Sequence, residues 1–115
     1  MNKTIAGYHL LMILSAVDFR VGVQEDNVIR EYLVTEFPFR VNLDREMEKI
    51  SRLKPDEWEA HFLKAMDDFY DDATPEERTS LLDFAIQLAT ADNVVTKEEN
   101  HYLNHLFRNW EPERE

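Results

Sequence analysis

The sequence predicts an all-α fold, a compact bundle of about six helices. Three observations carry that reading. Apolar residues recur at helical spacing along nearly the whole chain. Helix-start chemistry stands at most of the boundaries between these stripes. Only two glycines and four prolines punctuate the 115 residues, and no alternating run is long enough for a central strand.

The first helix is expected over about residues 3–17, where Leu10, Leu11, Leu14 and Val17 form an apolar face. Its apolar run, from Tyr8 to Val17, is shorter than the roughly 20 residues a spanning helix needs. Asp18, Arg20 and Glu25 follow at once, and the small-residue pattern of a signal cleavage site is poor. An amphipathic helix is the expectation, with no membrane insertion and a cytoplasmic location. The second helix, about 23–37, places Val28, Ile29, Tyr32 and Leu33 on one face, and Pro38 ends it. Asn42-Leu43-Asp44 starts a short third helix, about 43–53.

The fourth, about 55–72, opens on Lys54-Pro55-Asp56-Glu57, which has proline and early acids that suit the helix dipole. Trp58, Phe62, Ala65, Met66 and Phe69 line one side of it at helical intervals. The fifth, about 75–91, begins with Thr74-Pro75-Glu76-Glu77, a capping box, and carries Leu81, Leu82, Ala85, Leu88 and Ala89 inward. The sixth, about 97–110, repeats the box in Thr96-Lys97-Glu98-Glu99 and presents Tyr102, Leu103, Leu106, Phe107 and Trp110. No stretch has linker composition, so a single domain over 1–115 is expected.

Composition narrows the chemistry. Thirteen basic against 24 acidic residues leave a formal charge of −11, a field that repels phosphate backbones, and no local basic stripe offsets it. Nucleic acid is therefore not an expected partner. The absence of cysteine excludes disulfide frameworks, thiolate metal sites and cysteine nucleophiles. There is no Gly-rich phosphate loop, no serine in a nucleophile elbow and no His-Glu-x-x-His. A non-enzymatic role is expected.

Offset by 74 residues, two helix–loop–helix units align: Leu14 falls on Leu88, Asp18 on Asp92, Val21 on Val95 and Glu25 on Glu99. The apolar pattern agrees, with Ile29 on Leu103 and Leu33 on Phe107. Such a duplication predicts two hairpins packed about a pseudo-twofold axis, each burying its apolar face on the other.

Ala91-Asp92-Asn93-Val94-Val95-Thr96-Lys97-Glu98-Glu99, followed by Tyr102-Leu103 and Leu106-Phe107, resembles the signature loop of TerB-like (tellurite-resistance B) domains, Ala-Asp-Gly-x-Val-x-x-x-Glu. Val17-Asp18-Phe19-Arg20-Val21-Gly22-Val23-Gln24-Glu25 resembles the degenerate first copy of that family. Asn93 and Phe19 stand where the family places glycine; Asn tolerates a left-handed backbone, Phe does not, and Gly22 is the permissive residue of the first loop. The resemblance implies a compact helical domain, linked to tellurite and stress-resistance gene sets, whose acidic residues bind metal. Carried onto this chain, those residues are Asp18, Glu25, Asp92 and Glu99.

Two readings of these four carboxylates stand side by side. As oxygen ligands they suit a hard cation such as Ca²⁺ or Mg²⁺, and a divalent cation is the cofactor the sequence leaves open. As structural groups, Glu99 and Glu25 cap helix starts, and Asp92 and Asp18 bind loop amides. An EF-hand is excluded, because a loop beginning at Asp92 would need glutamate where Leu103 stands.

Glu98, His101 and His105 form a second constellation, sharing one helix face at i, i+3 and i+7 and able to offer imidazoles to a transition metal. The Glu-x-x-His spacing of di-iron bundles occurs here once rather than twice. The competing reading is an exposed polar face, since Leu103 and Leu106 point elsewhere. Asp67, Asp68, Asp71 and Asp72 belong to an acidic run continued by Glu76 and Glu77, which reads as a solvated face or as a patch that steers a basic protein partner. His9 and His61 read as packing or partner-satisfied residues. Oligomeric state is not legible.

Overall fold

The computed structural model describes residues 2–16, 23–37, 42–89 and 97–110. Among them the chain forms α1 (Lys3–Ala16), α2 (Val23–Glu36), α3 (Leu43–Ser51), a 3₁₀ turn (Pro55–Glu57), α4 (Trp58–Asp72), α5 (Pro75–Ala89) and α6 (Lys97–Trp110), with no strand. The all-α expectation holds.

Helix starts follow local chemistry. Asn2 Oδ1 accepts from the Ile5 amide at 2.9 Å and opens α1. Asn42 Oδ1 accepts from the Arg45 amide at 3.2 Å and opens α3. At α5 the Thr74 hydroxyl accepts from the Glu77 amide at 3.2 Å, while the Glu77 carboxylate accepts from the Thr74 amide at 2.8 Å. That is the capping box read from the sequence. The box at Thr96 lies outside the described residues. Ends shift slightly: α3 stops at Ser51 rather than 53. Pro55 is the reason, because it pushes Lys54 into an extended backbone (φ −84°, ψ 153°), and the last turn tightens before it. The chain re-enters helix through the 3₁₀ turn rather than directly at Pro55.

α1 is not amphipathic, as the sequence had suggested, but buried on every side. Thr4, Ala6 and the whole run from Gly7 to Ser15 are buried, because α1 packs against each of the other five helices, α4 most extensively. Gly7 permits this crowding: a Cβ there would sit 3.2 Å from Leu33 Cδ2. Around α1 the core gathers Ile29 and Leu33 of α2, Phe62, Ala65, Met66 and Phe69 of α4, Leu81, Leu82, Ala85 and Ala89 of α5, and Tyr102, Leu103 and Leu106 of α6. Val28, expected on the inner face of α2, is instead 44% exposed. The inner face of α2 passes through Ile29 and Leu33, and Val28 falls beyond its edge.

A helix buried all round must satisfy its polar groups within the protein. Tyr8 donates its hydroxyl to Asp26 Oδ1 of α2 at 2.7 Å. Arg30 joins the same carboxylate at 3.0 Å and reaches Asp44 of α3 at 2.6 Å. His9 lies between Glu46 of α3 and His61 of α4. The side chains of α1 thus tie α2, α3 and α4 together by directional bonds as well as by apolar packing.

Candidate metal centre

The α4–α6 contact is built on an aromatic pair. Phe62, fully buried, meets Tyr102 edge-on, with ring centroids 4.9 Å apart and planes at 79°. One turn before Phe62, Glu59 stands in the first turn of α4, where the helix dipole favours an acid. On α6, His101 and His105 flank Tyr102 at i−1 and i+3. Docking Phe62 on Tyr102 therefore brings Glu59 over both histidines.

Glu59 Oε2 lies 3.0 Å from His101 Nε2 and 3.0 Å from His105 Nε2. An ionised carboxylate only accepts, so each ring carries a proton on Nε2 and donates it to the same oxygen. These two hydrogen bonds, first from His105 and then from His101, hold the Glu59 carboxyl below the usual carboxylate range. The two imidazoles stand with centroids 4.9 Å apart. The three donor atoms all lie within 4.8 Å of one another. His101 and Glu59 are open to solvent, whereas His105 is half-buried. Burial, and next the Glu59 charge, raise the Tyr102 hydroxyl above its ordinary value, so it stays a neutral wall beneath the cluster.

A second polar cluster lies inside. His9 Nδ1 is 2.6 Å from His61 Nε2, and His9 Nε2 is 2.8 Å from Glu46 Oε1. Lys49 approaches the other Glu46 oxygen at 3.4 Å. If Glu46 is ionised it accepts from His9 Nε2–H, leaving His9 Nδ1 to accept from His61 Nε2–H. Burial pushes both imidazoles down, His61 further through the neighbouring His9. For Glu46, burial works upward, but hydrogen bonds from His9 and Lys49 outweigh it and keep the carboxyl low.

Asp18 and Asp92 lie outside the described residues, as do the side chains of Glu25, Glu98 and Glu99. Glu25 and Glu99 are each the third residue of their helices, α2 and α6. Glu59 was not read from the sequence as a partner of His101 and His105; it stands 42 residues before His101, and only its spacing to Phe62 hinted at its direction. The acidic run covers the outer flank of α4. Asp67, Asp71 and Asp72 are exposed, Asp68 pairs with Lys64 at 3.1 Å, and Asp72 accepts from the Lys3 amide at 2.9 Å. His9 and His61, expected as packing or partner-satisfied residues, are partners of each other, and Glu46 satisfies His9 in addition.

No helix among the described residues is long and apolar enough to cross a membrane. No curated protein and no solved structure matches the chain significantly. A family model does, that of tellurite resistance protein TerB, over residues 4–108. The match runs from α1 to the last turn of α6 and takes in both copies of the duplicated unit, the loops that carried the resemblance included. The chain belongs to the TerB family.

Proposed function

We propose that this chain is a small acidic binding module, not an enzyme, acting in a tellurite-resistance-type stress context with its binding linked to a divalent cation. The observation that supports the cation most directly is the convergence of Glu59, His101 and His105 from two helices onto one exposed point. A formal charge of −11 favours any cation near that point. The reading as a binding module draws on the sequence, which has no cysteine, phosphate loop or nucleophile elbow. Calorimetric titration of the metal-free protein with Ca²⁺, Mg²⁺, Mn²⁺ and Zn²⁺ tests it. Heat with at least one ion and a raised melting temperature are expected; no heat with any of them overturns the cation link.

One further observation favours a metal-independent protein contact as the second reading. Tyr32 of α2 stacks on Phe84 of α5, centroids 4.0 Å apart, at the floor of a cleft of about 490 Å³. Glu36, Glu76 and Asp83 line that cleft and, among the described residues, no basic side chain does, which suits a lysine- or arginine-bearing segment. Pull-down by a basic peptide that Phe84→Ala abolishes would support this reading; unaltered capture would remove it.

A further inference from the structure

We propose that Glu59, His101 and His105 select a nitrogen-seeking transition ion of the Zn²⁺, Ni²⁺ or Cu²⁺ class, and hold it with a coordination position left open. This rests on the cation-linked reading above and names the class of cation. The donor set carries the choice. Two imidazole nitrogens and one carboxylate oxygen suit borderline metals, whereas Ca²⁺ takes six to eight oxygens and Mg²⁺ a near-ideal oxygen octahedron.

Geometry agrees. Tetrahedral zinc with bonds of about 2.0–2.1 Å places its donors about 3.4 Å apart. Here Glu59 Oε2 is 3.0 Å from each Nε2, and all three atoms fit within 4.8 Å. Opening the two Glu59 contacts by a few tenths of an ångström brings them to that spacing, and an exposed side chain in the first turn of α4 can move that far. The two histidines are an i, i+4 pair on one helix, so their backbones need not move.

The metal would replace the two hydrogen bonds that now join the cluster. In its neutral form each ring carries its proton on Nδ1 instead of Nε2 and presents the Nε2 lone pair to the ion. Three protein donors leave a tetrahedral ion one position short. Glu59 and His101 are 47% and 55% exposed, so that position faces solvent and takes water or a donor from another molecule. A three-donor site open on one side is built to exchange its ion or to bind through it, rather than to staple the fold.

The test uses the full chain stripped of metal with a chelator, titrated by calorimetry with Zn²⁺, Ni²⁺, Co²⁺, Ca²⁺ and Mg²⁺. The variants are Glu59→Ala, His105→Ala and, because His105 is half-buried, the more exposed His101→Ala, each checked by circular dichroism. The expected result is binding that follows the order Co²⁺ below Ni²⁺ and Zn²⁺, and a loss of roughly tenfold or more in Zn²⁺ affinity in each variant. Bound Co²⁺ should give the intense visible absorption of a tetrahedral site, which added imidazole shifts by taking the open position. Zn²⁺ affinity unchanged in the variants overturns the assignment. Ca²⁺ or Mg²⁺ binding without Zn²⁺ binding overturns it too, while leaving a cation-linked module standing elsewhere on the chain. No binding of any ion overturns both.

Discussion

Lys3 Nζ of α1 lies 2.8 Å from Glu77 Oε2 of α5, and the two residues stand 74 apart in the chain. That is the offset that superposes the two helix–loop–helix units. Gly7 and Leu81 share it, and a Cβ at Gly7 would lie 3.6 Å from Leu81 Cδ1. Two pairs of residues at that offset therefore meet where α1 packs against α5. The two copies are nevertheless unequal. Leu14 is buried where its counterpart Leu88 is half-exposed, because α1 is surrounded and α5 is lateral.

Acid should destabilise the fold in two stages. His9 and His61 are held below their ordinary value, so below about pH 6.5 the unfolded chain binds protons that the folded chain refuses. Their contribution is fully present above the unfolded value and is lost as pH falls through the folded ones. Glu46, also lowered, acts in the same direction, its share being lost as pH falls below about 4.3. Urea melts between pH 8 and about pH 2 should show stability falling through both windows. His61→Gln should flatten the first; an unchanged slope there would refute the assignment.

Tyr8 and Asp26 should behave as a coupled pair. Asp26→Ala leaves the buried Tyr8 hydroxyl without its acceptor and should cost about 1–3 kcal/mol. Once Tyr8→Phe has removed that hydroxyl, the added cost of Asp26→Ala should be smaller. A double-mutant cycle by chemical denaturation measures the difference, and strict additivity would count against the hydrogen bond.

Phe62→Ala removes a fully buried ring and should destabilise the protein by about 3–5 kcal/mol. It should also loosen the register of α4 on α6 and so lower Zn²⁺ affinity without touching a donor atom. Affinity equal to the parent in a folded variant would show that the metal centre does not depend on this pair.

Added salt should raise the melting temperature. Asp67, Asp71, Asp72 and Glu76 crowd one exposed flank, where Lys64 and Lys3 offset only part of the charge. Screening shortens the reach of their repulsion from about 10 Å at 0.1 M to about 3 Å at 1 M. Melting at two ionic strengths of sodium chloride checks this, and a lower value at high salt would contradict it.

The sequence by itself determined what neighbours within a helical turn decide. The capping box of Thr74 and Glu77, the cap at Asn42, the inward stripe from Phe62 to Phe69 and the family loops were all legible. Each depends on residues a few positions apart, whose geometry the helix supplies. Only the tertiary structure decided which faces meet. It made α1 the central helix, since an apolar run with two polar interruptions reads as amphipathic until Asp26, Glu46 and His61 arrive to satisfy Tyr8 and His9. It left Val28 outside the core. It also brought a donor from another helix to His101 and His105 of the Glu98, His101 and His105 constellation, by setting Glu59 across from them. Such meetings span 18 to 52 residues of chain and follow from how whole helices pack, which no local spacing encodes.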